Sequence, residues 1–375
     1  MAAPDPFIAT SAGTAFCDAI RVSQAGSYWF AISYNSGSGE PEVRYATTPS
    51  ASWSTATIPA PTGSYLYNYS DPFAHGVVYG DSTYAFVLSY RDAGVTGTET
   101  WCIHATDPGG TWTATKINAS TDLRSKDTIF ADGKFVAVGG GVSTNNPWIA
   151  YCTTAGGTWT LNTTTATVGY DDAAAWTIEG IDHDGTRWVT VATGPSTDGS
   201  RYSTAIDSGW GTASGFPTTM GTGKVLRYHG GASIWVVADG LNTNYYYAAD
   251  PTGTWTAIGS ASTGMTDAVC DMTYGNGYWV AVGNTVPGFY DVPRVAYLAG
   301  SSPAGTYTAV SDDGLTDYPS ASVRAWTAWY SGGYFVIAGT NYGEVAYCYL
   351  PTAPTFLRQR QSPVRSPSRV GWGRF

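Results

Sequence analysis

Charge is scarce in this chain. Of 375 residues, 18 are Lys or Arg and 28 are Asp or Glu, and together they make up 12% of the sequence, about half the usual share. The net charge of −10 leaves no basic stripe for phosphates, which excludes a dedicated nucleic-acid binder. Histidine is equally thin. His75, His104, His183 and His229 stand singly, so no clustered metal ligands are expected. The five cysteines, Cys17, Cys102, Cys152, Cys270 and Cys348, lie in apolar runs without a C-x-x-C pair. They read as buried thiols rather than as a disulfide frame or a zinc site. No apolar run approaches the roughly twenty residues needed to span a bilayer. The first residues, from Met1 to Pro6, have neither the charged nor the apolar part of a secretory signal. The expectation is a soluble protein made in the cytoplasm, with no membrane insertion.

What the chain has in quantity is aromatic residues, at 14%, and glycine, at 46 residues. With the recurrent Thr, Ser and Tyr, this composition favours many short strands and tight turns. The stretch from Trp148 to Thr160 holds the recurring unit: a strand, a glycine turn and a second strand. Tyr45 leads to Trp53, His104 to Trp112, Tyr151 to Trp159, Tyr202 to Trp210 and Tyr247 to Trp255, always at the same spacing. Looser copies run from Tyr297 to Tyr307 and from Tyr347 to Phe356. A fixed hairpin length closed by an aromatic is the trace of a repeated supersecondary unit.

Upstream of each hairpin lies an apolar run opened by an aromatic: Trp29, Tyr84, Phe135, Trp188, Trp235, Trp279 and Phe335. Runs of this length bounded by turn residues fit strands buried on both faces. Short turns such as Asp132-Gly133, Asp184-Gly185 and Gly332-Gly333 precede most of them. A further strand comes before each turn. Every repeat is therefore four antiparallel strands, a to d. Seven repeats are expected near residues 15–58, 73–117, 127–163, 175–215, 223–258, 267–310 and 323–358. A lone meander cannot hide both faces, whereas seven arranged radially bury each sheet against its neighbours. The expected fold is all-β: a seven-bladed β-propeller over residues 1–357. Phe356 occupies the strand d position of blade seven, so that blade is expected to be complete from its own chain, with the role of the N-terminal segment left open.

The remaining residues, 358–375, form a basic C-terminal arm. It contains Arg358, Arg360, Arg365, Arg369 and Arg374 and no acid, and ends in an apolar group that includes Trp372 and Phe375. Taking these five arginines from the 18 basic residues leaves 13 against 28 acidic ones, so the disc itself carries about −15. A flexible cationic arm on an acidic body suits docking to an acidic partner.

The a–b and c–d turns are short and share one face of such a disc. The b–c and d–a loops share the other and vary in length, as the recognition face of a repeat protein does. Residues 59–72 contain Tyr65, Tyr67 and Tyr69; residues 164–174 contain Tyr170, Asp171 and Asp172; residues 283–294 contain Phe289 and Tyr290. Tyrosines beside carboxylates suit sugar stacking or a protein interface, and these residues are the candidate binding face.

Strand a lines the channel, which makes Asp18, Asp271 and Glu179, with Arg21, Arg227 and Arg324 nearby, the candidates for acid–base work on a glycosidic bond. No motif fixes their separation. The acidic run from Ser311 to Asp317 lacks the spacing of an EF-hand loop. The triplet Asn118-Ala-Ser120 has no secretory context to make it a glycosylation site. No catalytic residue, metal or cofactor is assigned.

The c–d hairpins resemble a degenerate Asp-box, the S-x-D-x-G-x-x-W turn of sialidase-type propellers. Asp107, Gly109 and Trp112 match in blade two, and blade five keeps Asp250 and Trp255 with Thr252 in the glycine position. Blade three is similar to a kelch repeat, through Gly139-Gly140, Tyr151 and Trp159. Both resemblances concern the framework. The Arg-Ile-Pro segment and arginine triad of sialidases are not recognisable, so their activity is not carried over. In style the chain resembles accessory virion proteins of tailed bacteriophages, whose propellers decorate heads, necks or tails and meet host glycans. That resemblance implies a non-enzymatic virion protein docked by its arm to other virion proteins. The alternatives are a lectin with pockets between blades and a glycoside hydrolase working in the channel.

Overall fold

The computed structural model describes residues 8–11, 17–35, 40–59, 64–66, 76–92, 98–117, 123–141, 146–170, 176–194, 198–218, 225–238, 245–265, 268–285, 292–310, 325–339 and 344–350. These residues form seven antiparallel sheets in a ring, a seven-bladed β-propeller. The inner strand a is Cys17–Ala25, Val78–Gly80, Leu123–Ala131, Thr177–His183, Val225–His229, Ala268–Gly275 and Ala325–Ser331 in blades one to seven.

One expectation is corrected. The outer strand of blade seven comes from the N-terminal end of the sequence, and Phe356 lies outside the described residues. The N-terminal strand Ile8–Ser11 pairs antiparallel with the third strand, Glu344–Tyr349, with Ile8 opposite Tyr347 and Ser11 opposite Glu344. First and last blades are thus tied by hydrogen bonds between opposite ends of the sequence. Closing a ring in this way satisfies an edge that a solenoid would leave open.

The core is divided among the joints. Among the described residues seven buried clusters occur, each shared by two neighbouring blades. The one across the closure unites Val22, Trp29 and Ala31 with Val336, Ala338 and Val345. In most blades the strand b aromatic lies directly opposite a strand a ring; in blade one Trp29 faces Gln24. Ring centroids are 4.7 Å apart for Phe130 and Phe135, 4.8 Å for Tyr274 and Trp279, and 4.7 Å for Tyr330 and Phe335. Such cross-strand pairs are the unit of sheet stability. In several blades the strand a aromatic also lies on the turn of the preceding blade. A Cβ on Gly80 would meet the Phe130 ring at 2.2 Å, and one on Gly275 the Tyr330 ring at 2.0 Å. Glycine is required there by the close approach of the neighbouring blade.

The c–d turns explain the tyrosine-to-tryptophan spacing. The Trp112 indole N–H donates to the Pro108 carbonyl at 3.0 Å, Trp159 to Ala155 at 3.2 Å, Trp255 to Pro251 at 3.3 Å, and Trp53 to Pro49 at 3.4 Å. In blade six the Tyr307 hydroxyl donates to Pro303 at 3.2 Å. In each case the acceptor is four residues earlier, so the turn length is fixed by the reach of the ring. An aspartate closes the turn in blades two and five: Asp107 Oδ1 accepts from the Gly109 N–H, and Asp250 Oδ1 from the Thr252 N–H, both at 3.0 Å.

Candidate functional site

Strand a carries a set of buried and half-buried charges at the channel. Asp127, Asp182 and Asp271 repeat one arrangement. Oδ1 of each accepts the N–H of its own following residue: Thr128 at 2.9 Å, His183 at 2.8 Å and Met272 at 2.8 Å. Oδ2 of each accepts an N–H from strand a of the next blade: Ile181 at 3.2 Å, Tyr228 at 2.6 Å and Ala328 at 3.1 Å. The inner edge of strand a has no strand beyond it. These carboxylates supply its missing acceptors and join blade three to four, four to five and six to seven. Asp127 and Asp271 stand beside β-bulges, where one strand a residue drops out of register; a bulge re-aims side chains in this way.

Two arginines balance these carboxylates. Arg21 of blade one reaches past blade seven to Asp271, at 3.8 Å. Burial would lower the pKa of Arg227, but Asp271, Asp127 and Asp182 outweigh it and hold the guanidinium above its ordinary value. It also lies over the Trp329 ring at 5.2 Å. Burial pushes the Asp182 carboxyl up to about 6 against the bonds from Tyr228 and His183, with Asp127 adding to the rise. Asp127 is raised by burial too, opposed by Arg227 and Arg21.

The channel residues weighed from sequence therefore fall as follows. Asp271 is fully buried and accepts from two backbone amides and the Thr327 hydroxyl. Glu179 pairs with Lys126 at 3.3 Å. The Asp18 side chain and Arg324 lie outside the described residues. Asp127 and Asp182 join Asp271, and Asp127 precedes Phe130 by the same interval as Asp271 precedes Tyr274, a spacing that could have marked it. A general acid needs an oxygen that can face substrate. Asp127, Asp182 and Asp271 instead spend both oxygens on the frame. Among the described residues no group of His, Cys, Asp and Glu is arranged to hold a metal ion.

On the loop face, Ser64–Leu66 forms an added strand on strand b of blade two, with Tyr65 opposite Arg91 in register. It shares that inner edge with strand a of the blade. Tyr67, Tyr69, Asp171, Asp172, Phe289 and Tyr290 lie outside the described residues, as do the arm residues Arg358, Arg360, Arg365, Arg369, Trp372, Arg374 and Phe375. Tyr170 is a correction. It is fully buried, and its hydroxyl bonds to the Thr190 and Gly199 carbonyls at 3.2 Å, so it cannot form part of an exposed binding face. A single helical turn, Thr165–Val168, ends at Gly169 with φ 77°, and this left-handed residue turns Tyr170 in between blades three and four. Arg201 sits over its ring at 4.6 Å.

The turn face is divided in composition. In blades two to five its turns carry Asp81, Asp107, Asp132, Asp184, Asp207 and Asp250, with Lys134 and Arg187 beside them. In blades six, seven and one the described turns contain no charged residue, only Gly, Ser, Thr, Ala, Pro and Asn around tyrosines. There Tyr334 contacts Tyr349 at 4.5 Å and Tyr347 at 6.0 Å, and Tyr28 contacts Tyr45 at 5.8 Å. Tyr349, 48% exposed, and Tyr79, 41% exposed, are the large hydrophobic side chains that stand out to solvent among the described residues. The described chain ends on this face. The Leu350 N–H donates to Gly333 at 2.8 Å, and its carbonyl accepts from Asn276 Nδ2 at 3.0 Å.

No family model matches the chain, and no curated protein matches it. Among solved structures it is similar to YCF48 bound to D1 peptide, with a TM-score of 0.60 and 11% identity over 94% of this chain and 98% of that one. YCF48 from Cyanidioschyzon merolae gives 0.56 and 10%, over 92% and 99%. The GH74 xyloglucanase from Xanthomonas campestris gives 0.58 and 11%, over 92% of this chain and 54% of that one. At such identities the likeness shows the propeller fold alone.

Proposed function

We propose that this chain is a non-catalytic display protein of a bacteriophage virion. The basic arm docks it to an acidic virion protein, and the loop face is turned outward toward host glycans. The observation that carries this reading is where the last described strand ends. Leu350 ends strand c of blade seven on the turn face, opposite the face of the variable loops. An arm leaving there can hold the disc while the loop face stays free. Two further points support it. The three bridging channel carboxylates are committed to backbone amides, which argues for a frame rather than a hydrolytic centre. The arm's five arginines against a disc of about −15 favour contact through the arm rather than the body.

The test is deletion of residues 359–375. The truncated protein is expected to keep its thermal midpoint and to lose incorporation into particles, because the arm is too polar to form a core of its own. Normal incorporation of the truncated protein would overturn the reading.

A further inference from the structure

We propose that the uncharged turn face of blades six, seven and one is a docking surface in its own right. Its occupant is an electrically neutral patch of the same protein that takes the arm. This rests on the reading just given and extends it, making the docking bipartite.

Three observations converge on this surface. It is an uncharged stretch on a disc whose net charge is about −15. An acidic partner approaching the body elsewhere meets like charge; over this patch it meets none. Its tyrosines pack on one another, Tyr334 edge to face with Tyr347 and tilted against Tyr349, which is half exposed at the end of strand c. Tyrosine rings held by their neighbours offer contact area and a hydroxyl at little entropic cost, the property that enriches tyrosine at protein interfaces. Finally, the tether is here. Leu350 is buried and bonded on both sides, to Gly333 and to Asn276. The residues between it and Arg358 reach at most about 25 Å when extended. A partner that holds the arm is therefore kept beside this patch, and even a weak contact becomes effectively intramolecular. The partner must combine carboxylates for the arm with an uncharged surface next to them. A free glycan offers no carboxylate groove for the arm.

The probes are charge insertions at one structural position, the exposed residue just before the strand d aromatic. Ser52→Glu in blade one and Thr306→Glu in blade six place a carboxylate on the patch; Thr158→Glu in blade three does so in the charged half. Particles assembled without the chain are incubated with each purified protein, arm intact, and co-sedimentation is measured. Ser52→Glu, Thr306→Glu and Tyr349→Ser are expected to weaken binding about tenfold or more, and Thr158→Glu not at all. Circular dichroism melting confirms that each variant is folded. If the patch variants bind like wild type while deletion of 359–375 abolishes binding, the patch proposal is wrong and the arm reading stands. If that deletion binds normally and the patch variants fail, the arm reading is wrong and the patch carries the contact. Equal loss from Thr158→Glu would show a general charge effect and would overturn the patch proposal.

Discussion

The two halves of the turn face are built on the same hairpins and differ in their chemistry. In blades two to five the turns are locked by polar bonds: Asp107 and Asp250 close their own loops, and Arg187 reaches from blade four to Asp250 of blade five at 2.9 Å. In blades six, seven and one those charges are replaced by small polar residues and tyrosines. The backbone frame is conserved around the ring while its outer chemistry changes. A repeat can therefore vary its surface by arc, because the joints and not the turns hold the disc closed.

The largest effect that sharpens this contrast is in the strand d aromatics. Trp159 is buried and its indole bond is 3.2 Å, whereas Trp53 is only half-buried and its bond is 3.4 Å. Trp159→Ala is expected to cost about 3–5 kcal/mol and Trp53→Ala at least about 1 kcal/mol less, read by denaturant unfolding. Equal costs would erase the difference between the halves.

The joint where the charged half meets the tyrosine half has a pH signature. His229 of blade five packs on Trp279 of blade six, and burial, followed by the nearby Arg227, pushes its pKa down to about 3. The unfolded chain takes up a proton below about 6.5 while the native state does not. Stability should therefore be full above that pH and be lost toward pH 3, at up to about 1.4 kcal/mol per unit. Asp182 works in the opposite sense. With its carboxyl raised to about 6, it favours the native state below about pH 4 and loses that contribution as pH rises through 6. His229→Gln should flatten the acid limb of a midpoint-versus-pH curve. An unchanged limb would mean that this histidine is not held neutral.

Smaller effects separate stability from binding. Arg187→Ala removes the Asp250 contact and the 3.3 Å contact to Asp184, which for exposed pairs amounts to less than about 1 kcal/mol and fades in salt. Tyr349→Ser should shift stability by no more than about 0.5 kcal/mol. A loss of several kcal/mol there would make Tyr349 part of the core and remove it from the docking surface.

The blades were legible because most carry two aromatics at fixed register, and in most of them the structure gives these a physical role: a cross-strand ring pair such as Phe130–Phe135 and a ring-to-carbonyl lock such as Trp159 on Ala155. Ring closure was not legible. Ile8–Ser11 is four residues without an aromatic, whereas Phe356 fits the pattern of a strand d ring. Backbone pairing with Glu344–Tyr349 leaves no side-chain signature. Tyr170 misled for the opposite reason. Asp171 and Asp172 after it suggest a surface loop, while the decisive feature is the left-handed Gly169 before it. The channel carboxylates were partly visible: Asp271 was noticed as a candidate catalyst, but its role depends on an amide of the next blade, which spacing along one strand cannot reveal. The tyrosine arc needs the ring itself, because it joins residues near both ends of the sequence.

The most direct measurement is the orientation of the disc on its particle, from electron cryomicroscopy of the assembled virion. The expected result is density joining the turn face of blades six, seven and one to the particle, with residues 351–375 entering the neighbouring protein and the loop face in solvent. Finding the loop face against the particle and the tyrosine arc exposed would contradict it.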